Sequence, residues 1–197
     1  MGKSSKIGLR DIKFAWLNTG TDTVAVPAAY TMESTSVLES IKVSISRKGG
    51  DPDPQYAEDI ESDVLYPDPE IDITLESKEI PLALQQKMFA QAVKDANGVY
   101  SFESGKTPVY FALGFKAAKR DGTDRWVWQY KCRATPLDQT YHTKEGTKVT
   151  RQTDSLKITS IKRTYDKYVS AKVDSDTAGG PNAAAFFTGV YEPTFTP

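Results

Sequence analysis

Apolar and polar residues alternate with a period of two along most of this 197-residue chain. In residues 37–46, "VLESIKVSIS", four β-branched residues fall on one side of an extended chain, while lysine and serine residues fall on the other. Such alternation is typical of a half-buried β-strand. In "SLKITSIKRTY", Ile158 and Ile161 have opposite parity, which predicts a β-bulge. The alternation also predicts strands in "KIGLRDIKFAWL", "TVAVPAAY", "EIDITLES", "VYFALGFKAAK", "RWVWQYKC" and "KYVSAKV", and hence a mainly β fold.

Two of these stretches form a predicted hairpin. Asp121 and Gly122 lie between "VYFALGFKAAK" and "RWVWQYKC", and Asp-Gly is a favoured hairpin turn in which glycine takes a positive φ angle. The aromatic residues of the second strand alternate with polar ones. This favours a core position for Trp126, Trp128 and Tyr130 over an exposed platform for bases or sugars.

One segment has a helical pattern instead. "SKEIPLALQQKMFAQAV" contains Pro81, which suits a first helical turn, and then places Leu82, Met88 and Phe89 roughly on one face. We expect one α-helix of about three turns near residues 80–93, packed against the sheet.

Two stretches lack a regular pattern. Residues 47–70 contain four prolines between two strand signals, which predicts a long loop. Residues 174–197 are rich in small residues and proline, but the rings of Phe186 and Phe187 suit docking on another surface. We therefore divide the chain into one domain over residues 1–173, which includes the long loop, and a C-terminal extension.

Charge and cysteine content limit the possible functions. Twenty-five basic and 26 acidic residues give a net charge of −1, so the total charge does not favour binding to a polyanion. No apolar stretch approaches the roughly 20 residues needed to cross a bilayer, and the first residues lack the apolar core of a signal peptide. We therefore expect synthesis in a cytoplasm and no membrane contact. Cys132 is the sole cysteine, which excludes an intrachain disulfide or a thiolate zinc site and favours a buried apolar role.

No motif in the sequence carries catalytic chemistry. "ESGKTP" ends like a phosphate-binding loop, but Tyr100 replaces the first glycine and a strand follows where the motif needs a helix. "DPDPQ" is similar to the start of a calcium loop, but Tyr56 and Ser62 occupy the positions of its glycine and glutamate. His142 is the only histidine, and no nucleophile turn accompanies it. We expect no catalytic, cofactor-binding or metal-binding residues, and the chain is not expected to be an enzyme.

Four segments that together span nearly the whole chain occur in a characteristic order: "KIGLRDIKFAWL", "IDITLESKEIPLALQQKMF", "TPVYFALGFKAAKRDGTDRWVWQYKC" and "FFTGVYEP". Their order resembles that of the major tail proteins, or tail-tube proteins, of siphoviruses with long non-contractile tails. The resemblance implies a β-sandwich or barrel-like fold with one flanking helix and no catalytic residues. It also implies six copies in a ring, and rings stacked into a hollow tube that conducts DNA without binding it specifically. The 47–70 loop and the residues after Asp174 depart from the family pattern.

The resemblance also implies a location and partners. The protein would be made in the cytoplasm of a host bacterium and assembled into the virion tail of a bacteriophage. We expect contacts with the tape-measure, tail terminator and distal tail proteins. Because the hairpin over residues 112–132 is longer than a small sandwich needs, we also expect its strands to join a barrel between subunits.

Two other functions stay open at this point. Exposed aromatic side chains on a β-sandwich would suit a carbohydrate-binding module of a secreted or virion-surface protein. Basic strands would suit nucleic-acid binding, which would make the retention of DNA sensitive to salt.

Acidic and basic residues are unevenly distributed along the chain. Residues 49–77 contain ten acidic residues and no lysine or arginine, whereas residues 144–172 contain eight basic and three acidic residues. We expect the acidic loop of one ring to contact the basic strands of the next ring, since opposite patches set register and steer assembly. The alternative is that both stretches are solvated, or that they meet within one subunit. The residues expected at this contact are Asp59, Glu61, Asp63, Lys157, Lys162 and Arg163.

Overall fold

The computed structural model describes residues 4–18, 29–33, 38–49, 53–57, 60–65, 70–90, 92–139, 141, 143, 152–177 and 183–193. In these residues the chain forms twelve β-strands and two α-helices. Strands dominate, which confirms the prediction of a mainly β fold with few helices. The elements are β1 (Lys6–Leu17), β2 (Tyr30–Met32), β3 (Ser40–Lys48), β4 (Asp53–Ala57), β5 (Ile60–Leu65), β6 (Glu70–Ser77), α1 (Leu82–Phe89), β7 (Ala92–Lys94), β8 (Tyr100–Phe102), β9 (Phe111–Lys119), β10 (Asp124–Ala134), β11 (Asp154–Ile161), β12 (Ser170–Asp174) and α2 (Ala183–Phe187).

Eight of the described strands form one antiparallel sheet. Its order is β2-β1-β9-β10-β11-β6-β3, and β12 also pairs with β10. One edge of β10 pairs with two successive strands, because residues 125–129 pair with β12 and residues 131–134 pair with β11. Its other edge pairs with β9, so β10 is the strand around which the sheet is organised. Most of the strand predicted in "TVAVPAAY" lies outside the described residues, and β2 begins at the last residue of that stretch.

The sheet is curved, so that its two halves, β2-β1-β9-β10 and β11-β6-β3, each turn one face toward a shared core. Strands β1 and β3 lie far apart in the strand order but contact each other. Helix α1 contributes Leu84, Met88 and Phe89 to the core between the halves. Burial of these apolar side chains is the main favourable term in folding. The sheet contributes Ile12, Phe14, Ile71, Ile73, Leu75, Phe111, Leu113, Phe115, Val127, Cys132, Ala134, Leu156 and Ile158.

A second apolar cluster includes side chains of β1, β9 and β10. Strand β9 is buried along almost its whole length, as in a strand that is covered on both faces. The C-terminal segment 183–193 belongs to this cluster, with Phe186 fully buried and Phe187 4% exposed. Part of the predicted C-terminal extension therefore packs against the main sheet.

The helices differ in two respects from the sequence-based expectation. Helix α1 ends at Phe89 because Ala90 adopts a left-handed conformation with a φ of 52° and donates its backbone N–H to the Gln86 carbonyl. Strand β7 begins at Ala92, so part of the predicted third helical turn belongs to a strand. The sequence pattern also does not predict the short helix α2.

Two irregular features also differ from expectation. The 47–70 stretch is not one loop, because β4 and β5 pair within it and form a two-stranded sheet of their own. The bulge predicted at Ile158 and Ile161 is absent from β11, whose pairing with β6 and β10 keeps a continuous register. Ile158 is buried in the core and Ile161 ends the strand. A register shift occurs instead between Gln129 and Cys132, where β10 faces β9.

Candidate assembly surfaces

The β9–β10 hairpin turns at the Asp-Gly pair of the sequence. Gly122 has a φ of +84°, a conformation that a β-branched residue resists. The Asp121 carboxylate accepts hydrogen bonds from the backbone N–H of Thr123 at 3.0 Å and from its hydroxyl at 2.7 Å. These bonds from Thr123 hold the pKa of Asp121 below its usual value. The turn therefore depends on the two residues that the sequence singles out.

This hairpin lies at the centre of the subunit's own sheet. Strand β9 pairs with β1 on one edge and with β10 on the other, and β10 pairs with β9, β11 and β12. Within the described residues, both edges of the hairpin are thus occupied by strands of the same chain. Among the described residues the hairpin thus has no free edge for a neighbouring copy, so a barrel between subunits would have to form through other strands of the sheet, and this expectation stays a prediction. The length of the hairpin allows β10 to pair with two successive strands.

The aromatic residues of β10 are core residues, as their alternation predicts. Trp128 and Tyr130 are fully buried and Trp126 is 5% exposed. The Trp128 indole N–H donates to the backbone carbonyl of Phe186 at 2.8 Å, and the Tyr130 hydroxyl donates to that of Tyr191 at 2.9 Å. Burial raises the pKa of Tyr130 far above its usual value, so this hydroxyl keeps its proton. The C-terminal segment thus packs where a sugar or a base would have to stack.

Arg163 holds the C-terminal segment instead of facing a neighbouring subunit. Its side chain is 3% exposed, pairs with Asp166 and lies 3.5 Å from the Glu192 carboxylate. Its guanidinium also lies over the Tyr130 ring, 4.1 Å from the ring centroid. A buried cation matched by carboxylates and an aromatic face is part of the fold. The prediction that Arg163 contacts another ring is therefore wrong.

The other residues predicted for contact between rings are exposed lysines and residues of the acidic stretch. Lys157 is exposed and forms an ion pair of 3.3 Å with the exposed Asp138, and Lys162 is exposed as well. Glu61 and Asp63 lie in β5, and Asp59 lies outside the described residues. Their contact with the basic strands stays a prediction.

Asp174 connects β12 to the central hairpin. Its carboxylate accepts two hydrogen bonds from the Arg125 guanidinium, at 2.6 and 2.7 Å, and lies 3.0 Å from the Lys119 ammonium. The hydrogen bond from Arg125 is the largest of the effects that hold the pKa of Asp174 well below its ordinary value. Because Lys119 is 9% exposed, Asp174 also compensates a largely buried cation.

A cleft of about 520 Å³ lies between β3 and the part of the sheet formed by β1, β9 and β10. Its lining is partly apolar and includes Leu9, Ile41 and Phe115. The lining also includes basic side chains. We call this site the cationic cleft, after the four basic residues that line it: Lys6, Lys42, Arg125 and Lys172.

The cationic cleft carries an excess of positive charge. Lys42 and Arg125 are compensated by ion pairs within the subunit. Among the described residues, no carboxylate pairs with Lys6, with Lys172 or with the neighbouring Arg47. The pKa of Lys172 lies below its usual value, first because of partial burial and then because of the charges of Arg47, Lys6 and Arg125. Several positive charges thus lie close together around the partly apolar cationic cleft.

The β7–β8 hairpin exposes apolar side chains. Its strands form a separate sheet, and in the turn Gly98 has a φ of +87° and the Asp95 carboxylate accepts a bond from the Val99 N–H at 2.8 Å. Val93 is 56% exposed, and Val99 and Phe102 are each 57% exposed. Asn-Gly between apolar residues is a strong hairpin signal in the sequence, and the longer predicted helix obscured it.

The described residues contain no cluster of three or more histidine, cysteine, aspartate or glutamate side chains that could hold a metal ion. Cys132 is fully buried, and desolvation raises the pKa of its thiol to about 12, so the reactive thiolate is scarce at neutral pH. His142 lies outside the described residues. None of the helices in the described part of the chain combines the length and apolar composition that crossing a membrane requires.

Comparison of the chain with models of protein families and with curated proteins finds no match. Function must therefore be inferred from the fold and its surfaces. Two hairpins of the described chain, β4–β5 and β7–β8, form sheets of their own, and the cationic cleft opens beside the first apolar cluster.

Proposed function

We propose that this chain is a tail-tube protein, whose copies form rings of six that stack into the hollow tail of a long-tailed bacteriophage. The observation that carries the proposal is the pair of hairpins, β4–β5 and β7–β8, that form sheets separate from the main sheet. An isolated two-stranded hairpin is marginally stable in water unless it packs against something else. The exposed valines and phenylalanine of β7–β8 are what a surface covered on assembly would present.

The edges of the main sheet offer a second means of association. Within the described residues, β3 pairs only with β6, and β2 pairs only with β1. An open strand edge presents unpaired backbone N–H and C=O groups that can bind another chain. If such an edge binds a different surface of the next copy, the head-to-tail contact closes into a ring when its rotation permits. The number six comes from the family resemblance alone.

The charge of the chain suits a conduit for DNA. A net charge of −1 gives no overall attraction that would retain a polyanion as it passes. The chain would act as a structural component of the virion, without catalytic residues. Its partners would be further copies of itself, together with tape-measure, tail terminator and distal tail proteins.

The two alternative functions lose the residues that motivated them. A carbohydrate-binding module would need exposed aromatic side chains, but Trp126, Trp128 and Tyr130 are covered by the C-terminal segment. The nucleic-acid alternative relied on basic strands, in which Arg163 is buried and paired.

Electron microscopy of the purified full-length chain tests the proposal. Across a concentration series we expect rings and then tubes, and sedimentation should give a ring mass of six copies. Circular dichroism on the same samples verifies that the chain is folded and rich in β structure. Folded monomers at every concentration would refute the proposed function, whereas rings of another number would refute only the hexamer.

A further inference from the structure

The cationic cleft has the volume and lining of a binding site. Ligand sites in proteins typically occupy about 300–1,000 Å³ and combine apolar walls with a few charged groups. The cleft, at about 520 Å³, has this composition. Ile41 in its wall is 51% exposed, so an apolar surface is left open to water beside the basic residues.

Three cations that pair with no carboxylate in the described part of the chain favour an anionic occupant. Lys6 of β1 and Lys172 of β12 line the cleft, and Arg47 of β3 lies close enough for its charge to act on Lys172. Their mutual repulsion is unfavourable, and an occupant with several carboxylates would remove it. The apolar wall adds a second requirement, because the occupant should also carry apolar side chains.

One segment of the same chain meets both requirements. Residues 51–68, which we call the acidic segment, contain seven acidic residues and no lysine or arginine. Strands β4 and β5 lie within it and form a sheet separate from the main one. The segment also carries large apolar residues: Tyr56, Ile60, Val64, Leu65 and Tyr66.

We infer that the cationic cleft binds the acidic segment of a second copy of this chain. Carboxylates of the segment would pair with Lys6, Arg47 and Lys172, and its apolar side chains would cover Ile41 and Leu9. Because cleft and segment are different surfaces, the contact is head-to-tail and can propagate from copy to copy. The inference rests on the proposed function only in taking a second copy as the partner. The basic residues of the cleft thereby replace Lys157, Lys162 and Arg163 as the expected partners of the acidic segment.

Two variants that each lack one half of the contact provide the test. In the cleft variant, Lys6→Glu and Lys172→Glu reverse two exposed charges, and the segment stays intact. In the segment variant, Asp59→Asn, Glu61→Gln and Asp63→Asn remove three charges, and the cleft stays intact. We expect the self-association of each variant to be weakened about tenfold or more at low salt. An equimolar mixture should regain association in sedimentation velocity, because one intact cleft then meets one intact segment.

A matched control separates the cleft from charge in general. Lys157→Glu with Lys162→Glu makes the same change in net charge on exposed lysines outside the cleft. We expect its association to stay within about twofold of the natural chain. If this control loses association while the folded cleft variant keeps it, the inference is wrong. If the mixture of the two variants fails to regain association, as it would if each cleft held the segment of its own copy, the inference is also wrong.

A peptide experiment keeps this inference distinct from the proposed function. A fluorescent peptide of residues 51–68 should bind the segment variant, whose cleft is free, and binding should weaken about tenfold when its carboxylates are replaced by amides. Peptide binding without rings at any concentration would support the cleft and refute the tail-tube proposal. Tubes formed normally by a cleft variant that no longer binds the peptide would refute the inference and leave the tail-tube proposal standing.

Discussion

The β9–β10 and β7–β8 hairpins have the same kind of turn but opposite surroundings. In each turn an aspartate carboxylate accepts backbone N–H bonds and a glycine adopts a positive φ angle. Strands β9 and β10 are paired on both edges and almost fully buried, whereas β7 and β8 form a separate sheet with exposed apolar side chains. Turn chemistry therefore determines where a hairpin forms, and the rest of the chain determines whether it becomes core or surface.

Because of this difference, substitutions in one hairpin should change the stability of the fold, and substitutions in the other should change the assembly of copies. The β9–β10 hairpin contributes side chains to both apolar clusters, so substitutions there should lower the free energy of unfolding. The β7–β8 hairpin contributes little to either cluster, so substitutions there should act on association between copies. The following changes test this division, in order of their expected effect on stability.

Trp128→Ala is expected to have the largest effect. The side chain is fully buried, and its indole N–H donates to the Phe186 carbonyl at 2.8 Å. Its removal leaves a cavity and an unpaired carbonyl, so we expect the free energy of unfolding to fall by about 3–5 kcal/mol. Urea unfolding followed by circular dichroism measures the change. The control is Tyr165→Ala at a half-exposed ring, and equal losses in the two variants would contradict the central role of the hairpin.

Gly114→Ala should come second, because Trp128 lies directly on this glycine. A Cβ at position 114 would lie 2.7 Å from ring carbons of Trp128 in a buried site, so we expect a loss of about 1–3 kcal/mol. Gly8→Ala is the control, since its Cβ would lie at an ordinary 3.6 Å from Ala118. In a Trp128→Ala background, Gly114→Ala should cost much less, because the clash is gone. Strictly additive losses in this double-mutant cycle would show that the contact is not the cause.

Asp174→Asn should lower stability by about 1–2 kcal/mol at neutral pH, because it removes the charge that binds Arg125 and Lys119. The folded-state pKa of Asp174 lies below its ordinary value of 3.8, so the stabilisation is present above about pH 4 and is lost as pH falls further. The difference in unfolding free energy between the natural chain and the variant should therefore shrink between pH 5 and pH 2. Asp138→Asn, at an exposed ion pair, is the control and should change stability by less than about 0.5 kcal/mol. A constant difference at all pH values would contradict this role of Asp174.

The sequence predicts the parts of the fold that depend on local pattern. Period-two alternation predicts the strands of the main sheet, and Asp121 with Gly122 predicts its central turn. The core position of Trp128 also follows from alternation, although the segment that covers it does not. Prediction is poorer where local signals compete. Prolines in residues 47–70 indicate a loop, but a two-stranded hairpin tolerates proline because its outer edges need no partner.

The candidate surfaces could not be predicted, because they depend on tertiary structure. Lys6, Arg47 and Lys172 are distant in the sequence and meet only when β1, β3 and β12 surround the cleft. For Arg163 the sequence suggests a surface position, and the fold buries it instead. In "IKRTYD" it reads as one more surface charge, but the fold places it between Tyr130 and two carboxylates, where desolvation makes it structural.

Val93→Ser with Val99→Ser should have the smallest effect on stability and a large effect on assembly. Both side chains are more than half exposed, so little apolar burial is lost, and the free energy of unfolding should change by less than about 1 kcal/mol. If the β7–β8 hairpin is covered when copies associate, the same change removes apolar area from that contact and should reduce the yield of rings and tubes in electron micrographs. Tyr165→Ser, at an exposed ring on another part of the surface, should leave the yield unchanged. Normal tubes from the double variant would show that the exposed valines are not an interface, and a large loss of stability would show that the hairpin belongs to the core after all.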